Sequence, residues 1–392
     1  MDRDRSLETL RGLAALSVLL WHTMLGFFPS RSGIFASLPA DKALNGSLLY
    51  GLINGNAAVG FFFVLSGFVL TRRFFLRGDA DFLLRNAIKR WPRLALPVCV
   101  VVLLSWAFFF FGWYRFEEAA KFIPSPWLRL FAFSYQVPFH VDFLDALAQG
   151  LALTFFRGDS YYDSSLWTMR YEFIGSFIAF GLALLIGPRA RILIALYLVA
   201  IIVVMIHFTE QLWYAAFPIG VLLAALLPDR TKGLPLWAST LGIVGAVYLA
   251  GYSKVDRGVF HPIYSALPSP PPAMYVWILA AAVLLVCVSL NDRIRQILST
   301  RISVFFGWIS FPLYLVHIPV LCSLGCATFL LAQQWLPTPY PNVVAALVTI
   351  AGSILIAIPL ALINDRMLGL MNRWTQSLST SRRLPRNDAG SG

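Results

Sequence analysis

LRGLAALSVLLWHTMLGFF, residues 10–28, is the stretch whose reading decides the fold. A run of about nineteen mostly apolar residues is long enough to cross a bilayer as a helix. This one carries Arg11 at one end and His22 within it. Ionisable groups at that depth face protein or a water-filled cavity and mark candidate functional sites. Eleven steps of roughly 100° come to about 20° beyond three full rotations, which puts Arg11 and His22 on one helix face roughly 16 Å apart. Two plainer roles compete on spacing alone. Arg11 can be a topology-setting charge that snorkels to the interface, and His22 a packed histidine satisfied by a neighbouring helix.

The rest of the chain fits a membrane setting. Its 392 residues are 58% hydrophobic and only 13% charged, whereas a soluble domain is roughly a quarter charged. The formal charge of +12 does not point to nucleic acid, because the basic residues fall between apolar runs and not in a solvated domain. No small-residue cleavage site follows MDRDRSLE, so the first span reads as retained. Cys99, Cys287, Cys322 and Cys326 lie in apolar segments without metal-type spacing and read as core residues; no metal site is expected.

A window of about nineteen residues gives ten spans. They cover 10–28, 52–70, 94–111, 171–187, 192–209, 211–228, 235–252, 273–290, 303–331 and 342–363. An even number places both termini on one side, and 22 of the 31 Lys and Arg residues fall on that side. The positive-inside bias makes it cytoplasmic. The expected fold is therefore all-α, a polytopic integral membrane protein of about ten transmembrane helices with both termini cytoplasmic. Residues 1–366 form one membrane-embedded domain, and 367–392 form a cytoplasmic tail, disordered at its end. On the far side, 127–139 and 143–156 are apolar but too short to cross, and read as interfacial or re-entrant segments able to roof a cavity. The Pro-rich 253–272 reads as extended. Asn45-Gly46-Ser47 has the form of a glycosylation acceptor.

Four further stretches carry candidate chemistry. FFFVLSGFVLTRRFF (61–75) contains Ser66 and Gly67, small residues that allow close helix approach. RNAIKRWPRLALP (85–97) sets Arg90 and Arg93 at the expected cytoplasmic mouth of the third span. Guanidinium forks suit phosphate, although topology bias explains such a cluster equally well. SSLWTMRYEF (164–173) places Arg170 and Glu172 at the opposite end of the fourth span, with Trp167 as an interfacial aromatic. GWISFPLYLVHIPV (307–320) repeats Ser310, Tyr314 and His317 at spacings of four and three, on one helical face.

Taken together, these segments resemble the membrane-bound acyltransferase family 3, the group that includes sugar and polysaccharide O-acetyltransferases. The resemblance is carried by LETLRGLAALSVLLWH (7–22), FFFVLSGFVL, KRWPRLALP (89–97), LWTMRYEF (166–173) and ISFPLYLVHIPV (309–320). The first holds the family's arginine, ten residues, histidine signature as Arg11 and His22. The chain departs from it at Glu8 and Thr9, where LDGLR is usual, and at Arg170 and Tyr171 before the glutamate. Arg170 bears on acceptor preference.

The resemblance implies transfer of an acyl group, with acetyl expected, from cytoplasmic acyl-CoA to a hydroxyl of a carbohydrate or other small acceptor. Acyl-CoA is then a co-substrate and no cofactor is permanently bound; the bilayer is the other partner, and no nucleic acid is involved. A positioned base is typically worth about 10² to 10⁴ in rate, and histidine suits the role near neutral pH. His22 is assigned as the base and Glu172 as an orienting or acceptor-binding group. Arg11, Arg90 and Arg93 are assigned to donor phosphates. Arg170, Ser310, Tyr314 and His317 are acceptor or supporting candidates. A secondary transporter and a non-catalytic membrane protein of the same fold are the alternatives. A transporter also lines a midplane cavity with ionisable groups, but no pair of Gly/Pro-broken helices recurs in the two halves.

Overall fold

The computed structural model describes residues 4–35, 37–39, 43–132, 141–188, 200, 213–227, 233–253, 259 and 272–380. Among them every regular element is helical. Ten helices matter here: α1 (Arg5–Phe27), α2 (Gly55–Arg77), α3 (Ala80–Phe110), α4 (Phe143–Phe156), α5 (Trp167–Ile186), α6 (Trp213–Leu226), α7 (Leu236–Ala250), α8 (Ala273–Ser289), α9 (Arg301–Ala332) and α10 (Tyr340–Thr380). Six segments are long and apolar enough to cross a membrane: α1, α2, α3, Ser164–Ile186, α9 and Tyr340–Trp374. The protein is an α-helical multi-pass membrane protein.

Each expected span except 192–209, of which only residue 200 is described, falls on one of these helices. Most of 253–272 and residues 133–140 also lie outside them. The tail begins as helix, since α10 continues unbroken past residue 366 to Thr380. Residues 143–156 form the short helix α4, whose centre, Gln149–Leu153, is a π-helical turn.

Local chemistry sets the helix boundaries. Asp4 accepts the Ser6 N–H to start α1, Asn54 accepts from Asn56 and Ala57 to start α2, and Asp79 accepts from Phe82 to start α3. Gly78, at φ 68°, terminates α2 in the left-handed conformation that costs glycine nothing. Pro312 and Pro319 interrupt α9, and a π-helical turn, Leu321–Gly325, follows directly. Such turns absorb the hydrogen bonds that proline cannot make.

The packing that positions the site is between α1 and α9. A Cβ on Gly12 would lie 2.6 Å from the Phe306 carbonyl carbon, and one on Gly26 would lie 3.2 Å from Leu321 Cδ2. Residue numbers rise together along both helices, so α1 and α9 run parallel. Bare backbone at Gly12 and Gly307 lets them touch at one end. Buried Ala15, Val18 and Leu19 of α1 continue in the same core as Ile309, Leu313 and Val316 of α9. Gly12→Leu forces overpacking there, which typically costs about 1–3 kcal/mol. The expected result is a lower unfolding temperature in detergent together with reduced activity, because the same contact sets the register of the site.

Asn45 is not an available glycosylation acceptor in this fold. It is 2% exposed; its amide lies 3.5 Å from the Gly33 carbonyl oxygen and its Oδ1 accepts from Ser253 Oγ at 2.7 Å. The acceptor pattern reports sequence only, and here the asparagine is part of the packing. The four cysteines are free thiols, all buried.

Candidate active site

The α1–α9 register brings His22 opposite His317. His22 Nδ1 and His317 Nε2 are 2.8 Å apart, with ring planes 21° from parallel and centroids 4.9 Å apart. Near-parallel planes at that nitrogen separation mean that the rings meet edge to edge, as an in-plane imidazole hydrogen bond requires. His317 is fully buried, and its Nδ1 lies 2.7 Å from the Tyr314 carbonyl oxygen one turn back along α9.

A carbonyl oxygen only accepts, so His317 Nδ1 carries a proton. In the neutral ring Nε2 is then the lone-pair nitrogen, and the proton in the bond to His22 belongs to His22 Nδ1. The lone pair of His22 is therefore on Nε2. His22 keeps some exposure as a residue, whereas His317 has none, and its Nε2 is the ring nitrogen turned away from the pair. The arrangement has the logic of a catalytic triad, in which one group fixes the tautomer of the base and the next holds that group in place.

Two further contacts fix the pair. Trp127 stacks on the His22 ring at a centroid distance of 5.2 Å and an interplanar angle of 11°. It is held there by Ser125, whose hydroxyl donates to the Leu25 carbonyl of α1 at 2.7 Å. Trp127 opens the apolar segment 127–139, of which residues 127–132 are described. The indole face lies where a cation formed on that ring during turnover would meet its electron-rich π surface. Tyr314 is anchored by its hydroxyl, which donates to the Ser165 carbonyl oxygen at 3.0 Å and lies 2.8 Å from Thr168 Oγ1. These bonds tie α9 to the start of α5. Ser310 turns its hydroxyl back to Gly307 O and so supports α9 itself, not the histidines.

Residues 4–362 match the family model described as Acyltransferase domain, acyltransferase family 3. The chain belongs to that family. It is similar to the O-acetyltransferase PaAT-1 of Phomopsis amygdali, at 23% identity over 379 residues that cover 82% of this chain and 73% of that one. No solved structure matches. The protein is an O-acyltransferase.

In this acyltransferase the second polar cluster lies between α2, α3 and α5. Arg90 forms an ion pair with Glu172, donates from Nε to Ser176 Oγ at 2.9 Å and also reaches the Glu172 carbonyl oxygen at 3.3 Å. Ser66 donates to Glu172 Oε1 at 2.6 Å, so this small residue of α2 takes part in the cluster as well as in packing. Arg90 is 5% exposed. The expectation of an open mouth thus differs from the structure at Arg90, whose guanidinium is enclosed with a carboxylate and two hydroxyls. The reason is depth: Arg90 is the eleventh residue of α3 and Glu172 the sixth of α5, and these antiparallel helices bring the two together.

Arg93, Lys89, Asn86 and Asn372 line a recess of about 90 Å³ beside Arg90, and Lys89 Nζ donates to Asn372 Oδ1 at 2.8 Å. Arg170 is exposed and donates to the Arg157 carbonyl oxygen at 3.4 Å. Arg11 lies on α1 one residue before the Gly12 contact. The structure therefore joins His22, Tyr314 and His317 in one cluster and Arg90 and Glu172 in another, and leaves Arg170 on the surface.

Proposed function

We propose that this protein transfers an acyl group, with acetyl the first candidate, from acyl-CoA to a hydroxyl of a carbohydrate or other small acceptor, with His22 Nε2 as the general base. The observation that carries the reading is the His22–His317–Tyr314 relay, which leaves the lone pair of His22 on its Nε2. As the acceptor oxygen attacks the thioester carbonyl, its proton passes to His22 Nε2; the new C–O bond forms and the C–S bond breaks. His22 then gives the proton to the departing thiolate. The cation formed on His22 in between is shared with His317 Nε2 through the Nδ1–H bond and faces the Trp127 indole. Interactions that strengthen as charge develops lower the barrier and do little for ground-state binding.

On this reading Arg93 and Lys89 meet a donor phosphate at the recess, and Arg11 contributes positive potential at its end of α1. Arg90 acts there indirectly, by holding Glu172 and the α3–α5 contact. His317→Ala is expected to lower kcat by about 10- to 100-fold with little change in KM for either substrate, since it removes the group that fixes the His22 tautomer. His317→Gln, which keeps an acceptor beside His22 Nδ1, should recover part of the loss. The function itself is tested by mass analysis of metabolites and glycans from cells carrying the wild type or His22→Ala. A product heavier by one acyl group only with the wild type supports the reading. Identical spectra from two well-inserted proteins would overturn it.

A further inference from the structure

The family match ends at residue 362, while α10 runs on as helix to Thr380. Leu368 and Asn372 of that extension, one turn apart, wall the recess beside Arg90. Leu70 of α2 and Asn86, Lys89 and Arg93 of α3 form its other sides. Asn372 Oδ1 accepts from Lys89 Nζ at 2.8 Å, so the extension fixes where that ammonium stands. Among the described residues that line the recess none is acidic, and Lys89 feels the like charges of Arg93 and Arg85. Asp79, the acid close to Arg85, lies 2.7 Å from Arg73 and 3.8 Å from Arg85. Like charges gathered in one place repel, and an anion among them relieves the repulsion.

Size and depth say which anion. About 90 Å³ is room for several waters but far below the roughly 300 Å³ at which pockets for whole ligands begin, so the recess takes a single group. Gly325 of α9 lies against Thr349 of α10, and Trp308 Nε1 donates to Asp365 Oδ2 at 2.7 Å, so the two helices are antiparallel and Trp308 and Asp365 share a level. His317 lies beyond Trp308 in one direction and Asn372 beyond Asp365 in the other. At about 1.5 Å per residue the recess is roughly 20–25 Å along the axis from the histidine pair. In coenzyme A about thirteen bonds separate the thioester sulfur from the nearer diphosphate phosphorus, about 16 Å at the reach of an extended chain. With the thioester at His22 the diphosphate falls short of the recess. The phosphate monoester on the ribose, about eight bonds further out, reaches it. That monoester carries about −1.5 to −2 charges near neutral pH and three acceptor oxygens, which suits ammonium and guanidinium donors.

We propose that the recess binds the phosphate monoester on the ribose of the donor's coenzyme A, and that Asn372 of the α10 extension positions Lys89 for it. The enzyme then selects acyl-CoA over thioesters that lack this phosphate. The proposal rests on the acyl-CoA reading above and adds to it a residue that lies outside the matched domain.

Binding tests it without any acceptor. The full chain in phosphatidylcholine nanodiscs, whose headgroups carry no monoester, is titrated by calorimetry with acetyl-CoA and with acetyl-dephospho-CoA. The wild type should bind acetyl-CoA about 10- to 100-fold more tightly, the range expected for hydrogen bonds to a charged group. Asn372→Leu and Lys89→Met should each weaken acetyl-CoA severalfold and leave acetyl-dephospho-CoA unchanged, a split that general damage to the fold would not produce. Equal affinities in the wild type overturn the subsite and leave the acyl-CoA reading standing. If phosphatidate in the nanodisc then raises the unfolding temperature of the wild type but not of Lys89→Met, the recess belongs to a lipid headgroup instead. Equal weakening of both donors by Asn372→Leu overturns its positioning role. Binding of neither donor by the wild type overturns the subsite and the acyl-CoA reading together.

Discussion

His22→Ala should lower the rate of acyl transfer by about 10² to 10⁴ and leave acyl-CoA binding intact, because proton removal matters in the transition state and little in the ground state. Removing the ring leaves buried His317 Nε2 without its partner and Trp127 without its stack, which typically costs about 1–3 kcal/mol, so insertion and unfolding temperature are measured alongside the rate. The measurement is single-turnover transfer from acetyl-CoA in detergent or proteoliposomes, paired with donor binding by calorimetry. A loss of donor affinity with an unchanged chemical step would move His22 from base to donor contact.

The second large effect is expected in stability. Glu172→Ala leaves the Arg90 guanidinium enclosed without its carboxylate, and breaking a buried pair by removing one partner typically costs about 3–5 kcal/mol. The unfolding temperature in detergent should fall sharply. Replacing both partners by apolar residues of similar volume, as Arg90→Met with Glu172→Leu, should recover most of it, since such pairs contribute little net stability against a packed apolar core. If the single variant unfolds at the wild-type temperature, Glu172 is not the group that neutralises Arg90.

Much of this was legible in the chain. The length and apolarity of each run define a helix regardless of its neighbours, so the spans could be read one at a time. The Arg11–His22 spacing likewise needs only one helix. What required the third dimension was every pairing. His317 is 295 residues from His22, and its register is set by the bare backbone at Gly12 and Gly307, which no periodicity reveals. Arg90 was expected at an open mouth because the positive-inside bias counts basic residues without regard to depth; its partner, Glu172, is 82 residues away. Trp127 sits in a segment read only as apolar and too short to cross, and only the fold lays it on His22. Asp163 is an acidic residue directly before SSLW, and an acid ahead of a helix is ordinarily a cap. Its Oδ1 does cap the turn, accepting the Ser165 N–H.

The relay requires His22 and His317 to act as one unit, and a double-mutant cycle on the chemical step tests this directly. Groups that work as a unit are strongly non-additive, whereas independent sites add in free energy. With single-turnover rates for wild type, His22→Ala, His317→Ala and the double variant, the double should be no slower than His22→Ala alone. A double variant slowed by the product of the two single losses would show that His317 does not act through His22, and would contradict the relay.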